Sequence, residues 1–335
     1  MNKKRFLLLL IVISLGMLLL GIKIGSVPIS SSDLFNILAG KKISEDGILE
    51  GIIWNVRLPR VVLAYLVGAG LAVSGTVMQS LLGNPLASSY TLGVSAGASL
   101  GAALIMVAGI SATIIGSLLL PFTGFLFGLT TVFLVLLFTR TMDRQMSNQT
   151  VVLVGMVMTL FVGAILTLIT ALFQDYLKEL VFWQMGSFSG SNWTKIVIYC
   201  PVAILSTLFL WGDANNLDVL GLGEEQAMLS GVEVKTVKLR IILFASLLAG
   251  SAVSFVGVIG FVDLIAPHIV RRYLGATHRW LIPGSALLGG TLMVLGDTIA
   301  RTILSPREIP IGAVTALIGA PFFLYIYFQK RGAVA

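Results

Sequence analysis

Ten apolar blocks, near residues 6–22, 61–82, 92–110, 112–138, 151–173, 196–211, 241–259, 261–274, 281–300 and 311–328, dominate the chain. Most are long enough to carry an α-helix across a hydrocarbon core, which takes about 17 to 25 residues. The block at 261–274 is short for that task. Charged residues make up 11% of the chain and hydrophobic ones 57%, with a mean hydropathy of +0.99. Soluble domains average about 25% charged. The pattern predicts an all-α, polytopic membrane protein of about ten transmembrane helices. Length by itself suggests two soluble domains, but a bundle of spans reads as one domain over residues 1–335.

The first block follows the basic residues KKR and has no small-x-small cleavage pattern after it. It is expected to be a retained span rather than a signal peptide. The single Cys200 lies in an apolar stretch and offers no disulfide framework. The net charge of +7 belongs to lysines and arginines flanking the spans and gives no argument for nucleic acid.

An even number of spans puts both termini on one side. If that side is the cytoplasm, its loops hold 13 of the 22 basic residues: Lys3, Lys4, Arg5, Arg140, Arg144, Lys235, Lys238, Arg240, Arg271, Arg272, Arg279, Lys330 and Arg331. The positive-inside rule then favours cytoplasmic termini in the cell membrane. Arg57, Arg60 and Arg301 fall at outer span ends, where that rule disfavours them, so they call for a partner or a lipid phosphate.

Several short stretches carry more than hydrophobicity. LGVSAGASLGAAL spaces Gly93, Gly97 and Gly101 four apart, a row that lets two helices approach closely in lipid. Asn84-Pro85 breaks helical geometry. The break either lines a cavity or is an ordinary loop. The polar loop at 143–150 reads as a connector. In LGLGEEQAMLSG, acids Glu224 and Glu225 open a run of helix formers that Gly231 closes, which predicts a short helix in the 212–240 loop. That loop also reads as a solvated connector. Asp263, Pro267 and His268 stand in or near the short block, where ionisable groups are costly and invite a functional role. With two histidines and no cysteine partner, no metal site is expected. No Walker A loop, HExxH, GxSxG or catalytic carboxylate pair occurs. Active transport would therefore draw its energy from another subunit or from an ion gradient.

RLPRVVLAYLVGAGLAVSGTVMQSLLGNPLA, LGVSAGASLGA, WQMGSFSGSNW, LGLGEEQAMLSGV, LIAPHIVRRYLGATHRWLIPGSALLGG, DTIAR and EIPIGAVTALIGAPFFLYI together resemble the permeases of ferric-siderophore and cobalamin importers, the type II ATP-binding-cassette (ABC) importers. The matches run in order from about residue 54 to 328. The resemblance implies a ten-span permease without cofactor, paired with a second copy or a paralogue. Two cytoplasmic ATPase subunits would bind beneath and a substrate-binding protein outside. By position, Leu222, Gly223, Glu224, Glu225, Ala227, Leu229 and Gly231 would form the ATPase-coupling helix. Asn84, Leu86, Ser147 and Asn148 would form the cytoplasmic gate, and Arg57, Arg60 and Arg301 would receive acidic residues of the binding protein. Where the family reads FVGLIAPH, this chain has Asp263 in place of glycine, free to pair with an arginine or to be held neutral. The substrate expected is an iron chelate, a ferric siderophore before cobalamin or haem. An ion-coupled secondary transporter is the alternative from another class, and a non-transporting membrane scaffold a third.

Overall fold

A computed structural model describes residues 2–43, 47–111 and 113–332. Those residues form fourteen helices and no strand. In order they are α1 (Lys3–Lys23), α2 (Ser31–Leu38), α3 (Ile48–Leu81), α4 (Val94–Val107), α5 (Ile114–Met142), α6 (Asn148–Leu172) and α7 (Leu177–Gln184). Then come α8 (Trp193–Gly212), α9 (Ala214–Leu220), α10 (Glu224–Leu229), α11 (Val234–Val256), α12 (Val262–Leu274), α13 (His278–Thr302) and α14 (Ile311–Gly332).

Every apolar block of the sequence is centred on one of these helices. Among the described residues seven helices are long and apolar enough to cross a membrane: α1, α3, α5, α6, α8, α11 and α13. Helices α4 and α12 and the apolar part of α14 are shorter. The polar connectors hold more helix than their composition suggests. Helix α3 begins at Ile48, well before its apolar run, and passes through a π-turn at Ile52–Arg57. Such insertions are rare and shift the helical phase of the downstream residues. Helices α2, α7 and α9 lie outside the apolar blocks and are amphipathic or short.

Helix α3 is the centre of the bundle, with 78% of its spanning window buried, against 22% for the peripheral α6. Its main partner is α13, and α11, α12 and α8 also pack against it. The α3–α13 approach is backbone to backbone: a Cβ on Gly68 would lie 2.4 Å from the Gly289 carbonyl oxygen. Helices α4 and α5 meet in the same way, since a Cβ on Gly97 would lie 2.5 Å from the Phe127 carbonyl and one on Gly101 2.5 Å from that of Thr123. This is the small-residue row of the sequence used as lipid-phase packing requires, where close contact replaces the hydrophobic effect.

From Arg60 to Ser80 α3 rises about 30 Å at 1.5 Å per residue, the thickness of a hydrocarbon core. One end of the bundle gathers the start of α3, the end of α1 and the end of α13. The other gathers the end of α3, the loop before α6, helices α9 and α10, and the start of α13. The candidate functional residues divide between these two ends.

Candidate functional site: a cleft at the gate and coupling end

Helix α3 stops because Gly83 adopts a left-handed conformation (φ 61°) and Asn84 N–H turns back to the Gln79 carbonyl at 3.1 Å. Asn84 Oδ1 then accepts the Leu86 N–H at 2.9 Å, an Asx turn that Pro85 favours. Ser88 caps the short 3-10 turn Ser89–Leu92 that leads into α4. Leu86, on the Asx turn of Asn84, is exposed.

The loop before α6 is organised by Asp143. Its carboxylate accepts N–H bonds from Gln145 and Ser147, both at 2.8 Å. The Ser147 hydroxyl and these amides hold Asp143 well below the usual carboxylate range. Ser147 caps α6 through Thr150. Asn148 Nδ2 donates to the Leu81 carbonyl at 2.9 Å, which ties the start of α6 to the end of α3.

Helix α10 begins after Gly223 (φ 117°) and ends in a Schellman motif: Val232 N–H bonds the Ala227 carbonyl and Gly231 N–H that of Met228, both at 3.0 Å. Gly231 (φ 83°) supplies the left-handed residue that this ending needs. Ala227 is fully buried, whereas Leu222 and Leu229 are exposed, Leu229 by 89%.

These parts meet in one cleft of about 800 Å³. Asn84, Pro85 and Asn148 line it together with Leu222, Gly223 and Glu224. Leu86, Ser147, Glu225, Ala227, Leu229 and Gly231 lie on the same segments but not on its wall. Residues not singled out in the sequence complete it. His278, at the start of α13, places Nδ1 2.6 Å from Asp218 Oδ1 and Nε2 2.6 Å from Ser80 Oγ. Arg271 Nη2 donates to the same Ser80 oxygen at 3.2 Å. The set joins α9, α3, α12 and α13 as a polar clasp. Its partners lie as far as 198 residues apart, a separation that no local pattern signals.

At the opposite end the three arginines are engaged within the chain. Arg57 is 4% exposed and donates to the carbonyls of Ile22 (3.1 Å), Lys23 (2.7 Å) and Val27. Arg60 reaches Asp297 through Nε and Nη2 (2.8–3.1 Å) and Glu308 through Nη1 and Nη2 (2.6 and 3.0 Å). Arg301 donates to the Gly21 carbonyl, and its Nε lies 3.8 Å from Asp297. Asp297 therefore serves Arg60 more closely than its helical neighbour Arg301. Asp263 is buried at the start of α12 and takes the Ser88 hydroxyl, not an arginine, while Gln79 Nε2 donates to its backbone carbonyl at 3.2 Å. His268 lies in the middle of α12, away from either cap.

A family model described as the FecCD transport family matches residues 8–329. YvrB of Bacillus subtilis (strain 168), an ABC transporter permease, is 43% identical over 94% of this chain and 91% of its own. The hemin transport system permease HmuU of Yersinia pestis is 36% identical over 97% and 94%. A solved inward-facing metal-chelate type ABC transporter superposes with a TM-score of 0.86 at 32% identity, over 97% of this chain and 99% of that one. These findings displace the ion-coupled and scaffold alternatives. With its membrane-spanning helices and no ATP-binding loop, the chain belongs to the FecCD transport family and is a permease subunit of an ABC importer, in which ATP is hydrolysed by a separate ATPase subunit.

Proposed function

We propose that this permease pairs with a second copy or a close paralogue to carry an iron chelate of the ferric-siderophore kind into the cytoplasm. An outer substrate-binding protein delivers the chelate, and two ATPase subunits beneath drive its release. The observation that supports this reading most is the shared cleft, whose wall holds the gate residues Asn84 and Asn148 beside the coupling residues Leu222, Gly223 and Glu224. Displacement of α10 by an ATPase would act on the gate directly. A metal-chelate transporter among the similar structures supports the substrate class. Haemin is the second reading, favoured by the hemin permease relative.

Docking of the binding protein involves Arg57, Arg60 and Arg301 as one outer cluster. Arg60 and Arg301 face the carboxylates of Asp297 and Glu308, while Arg57 is held by backbone carbonyls, so these five groups together leave one net positive charge. Glu308 is the exposed member, at 38%, and an acidic residue of the binding protein would replace it on Arg60. Bidentate guanidinium–carboxylate bonds give that exchange a fixed geometry.

The test is co-purification with the neighbouring ATPase and binding protein, followed by uptake into proteoliposomes. Radiolabelled ferric siderophores, ferric citrate, haemin and cobalamin form the panel. Accumulation of a ferric siderophore that needs both ATP and the binding protein is the expected result. Accumulation of cobalamin alone overturns the substrate, and uptake without ATP overturns the mechanism. Cysteines at Ser147 or Asn148 should crosslink across the permease pair in a nucleotide-dependent way. No crosslink in any nucleotide state removes these residues from the gate.

A further inference from the structure

The interior of the coupling end holds a cation whose partners come from two different elements. Lys238, near the start of α11, is 1% exposed. Its Nζ donates to Glu224 Oε1 in the first turn of α10 at 2.7 Å and to the Met146 carbonyl in the loop before α6 at 2.9 Å. Met146 is itself buried and holds a φ of 53°, a left-handed conformation that a non-glycine residue keeps only when its surroundings impose it. The next two residues are Ser147 and Asn148, and Asn148 bonds the Leu81 carbonyl at the end of α3. Polar contacts therefore run from α10 through Lys238 to the 143–148 loop, and on to the turn that carries Asn84 and Leu86.

We propose that Lys238 is the positioning residue that makes the ATPase-facing helix and the cytoplasmic gate move together. This deepens the permease reading above and rests on it. A buried ammonium is costly unless paired and hydrogen-bonded. If α10 shifted alone, the charge would keep only a neutral carbonyl. If the loop shifted alone, the buried Met146 carbonyl would lose its donor. Independent motion of either element is therefore penalised, whereas joint motion keeps both bonds. Lysine suits this task, because a compact charge on a flexible stem can follow two partners at once. The Asp218–His278–Ser80 clasp does not replace it, since none of its bonds reaches the 143–148 loop.

The test uses the permease–ATPase complex in lipid nanodiscs, on a Cys200→Ser background that leaves introduced cysteines as the only labels. An environment-sensitive fluorophore goes on Gln145→Cys in the loop or on Ser230→Cys at the end of α10. In the chain with Lys238, ATP should change both signals. In Lys238→Met the Ser230 label should still respond, while the response at Gln145 is lost or needs about tenfold more ATP, an ordinary size for coupling between sites. A full Gln145 response in Lys238→Met overturns the proposal. A silent Ser230 label with Lys238 present, or no ATPase capture at all, overturns the coupling-helix reading itself. Should Lys238→Met fail to assemble, Glu224→Gln carries the same test: it keeps the Met146 bond and weakens the charge pair. A partial loss confined to Gln145 supports the proposal, and an unchanged response there overturns it.

Discussion

Arg60 faces two carboxylates of unequal exposure, and the difference decides what each is worth. Asp297 is almost fully buried, whereas Glu308 is partly exposed. Removing one partner of a buried pair costs about 3–5 kcal/mol, because the remaining charge is stranded. An exposed pair contributes about 0–1 kcal/mol. Arg60→Ala should therefore lower the stability of the detergent-solubilised permease by about 3 kcal/mol, and Glu308→Gln by less than about 1 kcal/mol. Thermal unfolding of both variants checks the contrast, and equal losses would contradict it. Arg57 is a different case. Its guanidinium binds backbone carbonyls at the end of α1 and just beyond, and the bond to Ile22 is buried. Arg57→Glu should abolish accumulation of folded permease in the membrane, and Arg57→Gln should reduce it. Normal accumulation with loss of binding-protein capture alone would make Arg57 a pure docking residue.

At the scale of elements, α3 and α13 are held at a distance that only glycine permits. A Cβ at Gly68 would meet both the Gly289 carbonyl and Met293 Cβ at 2.4 Å, against backbone that cannot give way locally. Gly68→Ala should destabilise by about 1–3 kcal/mol, the cost of an overpacked contact. Gly163→Ala on α6 has nothing within 4 Å, so it should be neutral or gain up to about 1 kcal/mol from helix propensity. Unfolding midpoints of the two variants separate close packing from simple glycine preference. Helix α10 invites the converse experiment. Leu229→Asp alters a side chain that is 89% exposed, so stability should stay within about 0.5 kcal/mol while ATPase capture is lost. Ala227→Pro removes the Ala227 N–H bond to the Gly223 carbonyl and breaks the helix at a cost of about 3 kcal/mol. Retained ATPase capture in Leu229→Asp would move the contact off this helix.

For the whole molecule, the two polar ends sit at opposite ends of α3, which makes membrane orientation a single binary question. With the gate, α10 and both termini in the cytoplasm, a cysteine at Ser189 faces outside and one at Ser230 inside. On a Cys200→Ser background, an impermeant maleimide should label Ser189→Cys in intact cells and Ser230→Cys only after lysis. The reverse pattern would invert the bundle and with it the assignment of docking and coupling ends. In that orientation nine of the basic residues fall on the side that the positive-inside rule disfavours. Arg57, Arg60 and Arg301 are held by carbonyls and carboxylates of the chain, so packing compensates their charge whichever side they face.

Much of this protein is local and was therefore legible in one dimension. Apolar runs of spanning length fix the helices, because lipid leaves the backbone no other way to satisfy itself. The four-residue glycine row marks the α4–α5 contact, and the acids and Gly231 mark both ends of α10. Helix starts in the connectors were less legible, since α3 and α11 extend past their apolar runs into polar sequence that carries no period of its own. What only the tertiary structure decided is which distant groups face one another: Arg60 with Asp297, His278 with Ser80, Asp263 with Ser88, Lys238 with Met146. Composition and spacing record how buried a position is and how its own helix turns. They do not record the depth and rotation at which one helix packs against another, and a buried charge takes its meaning from the neighbour that this packing supplies.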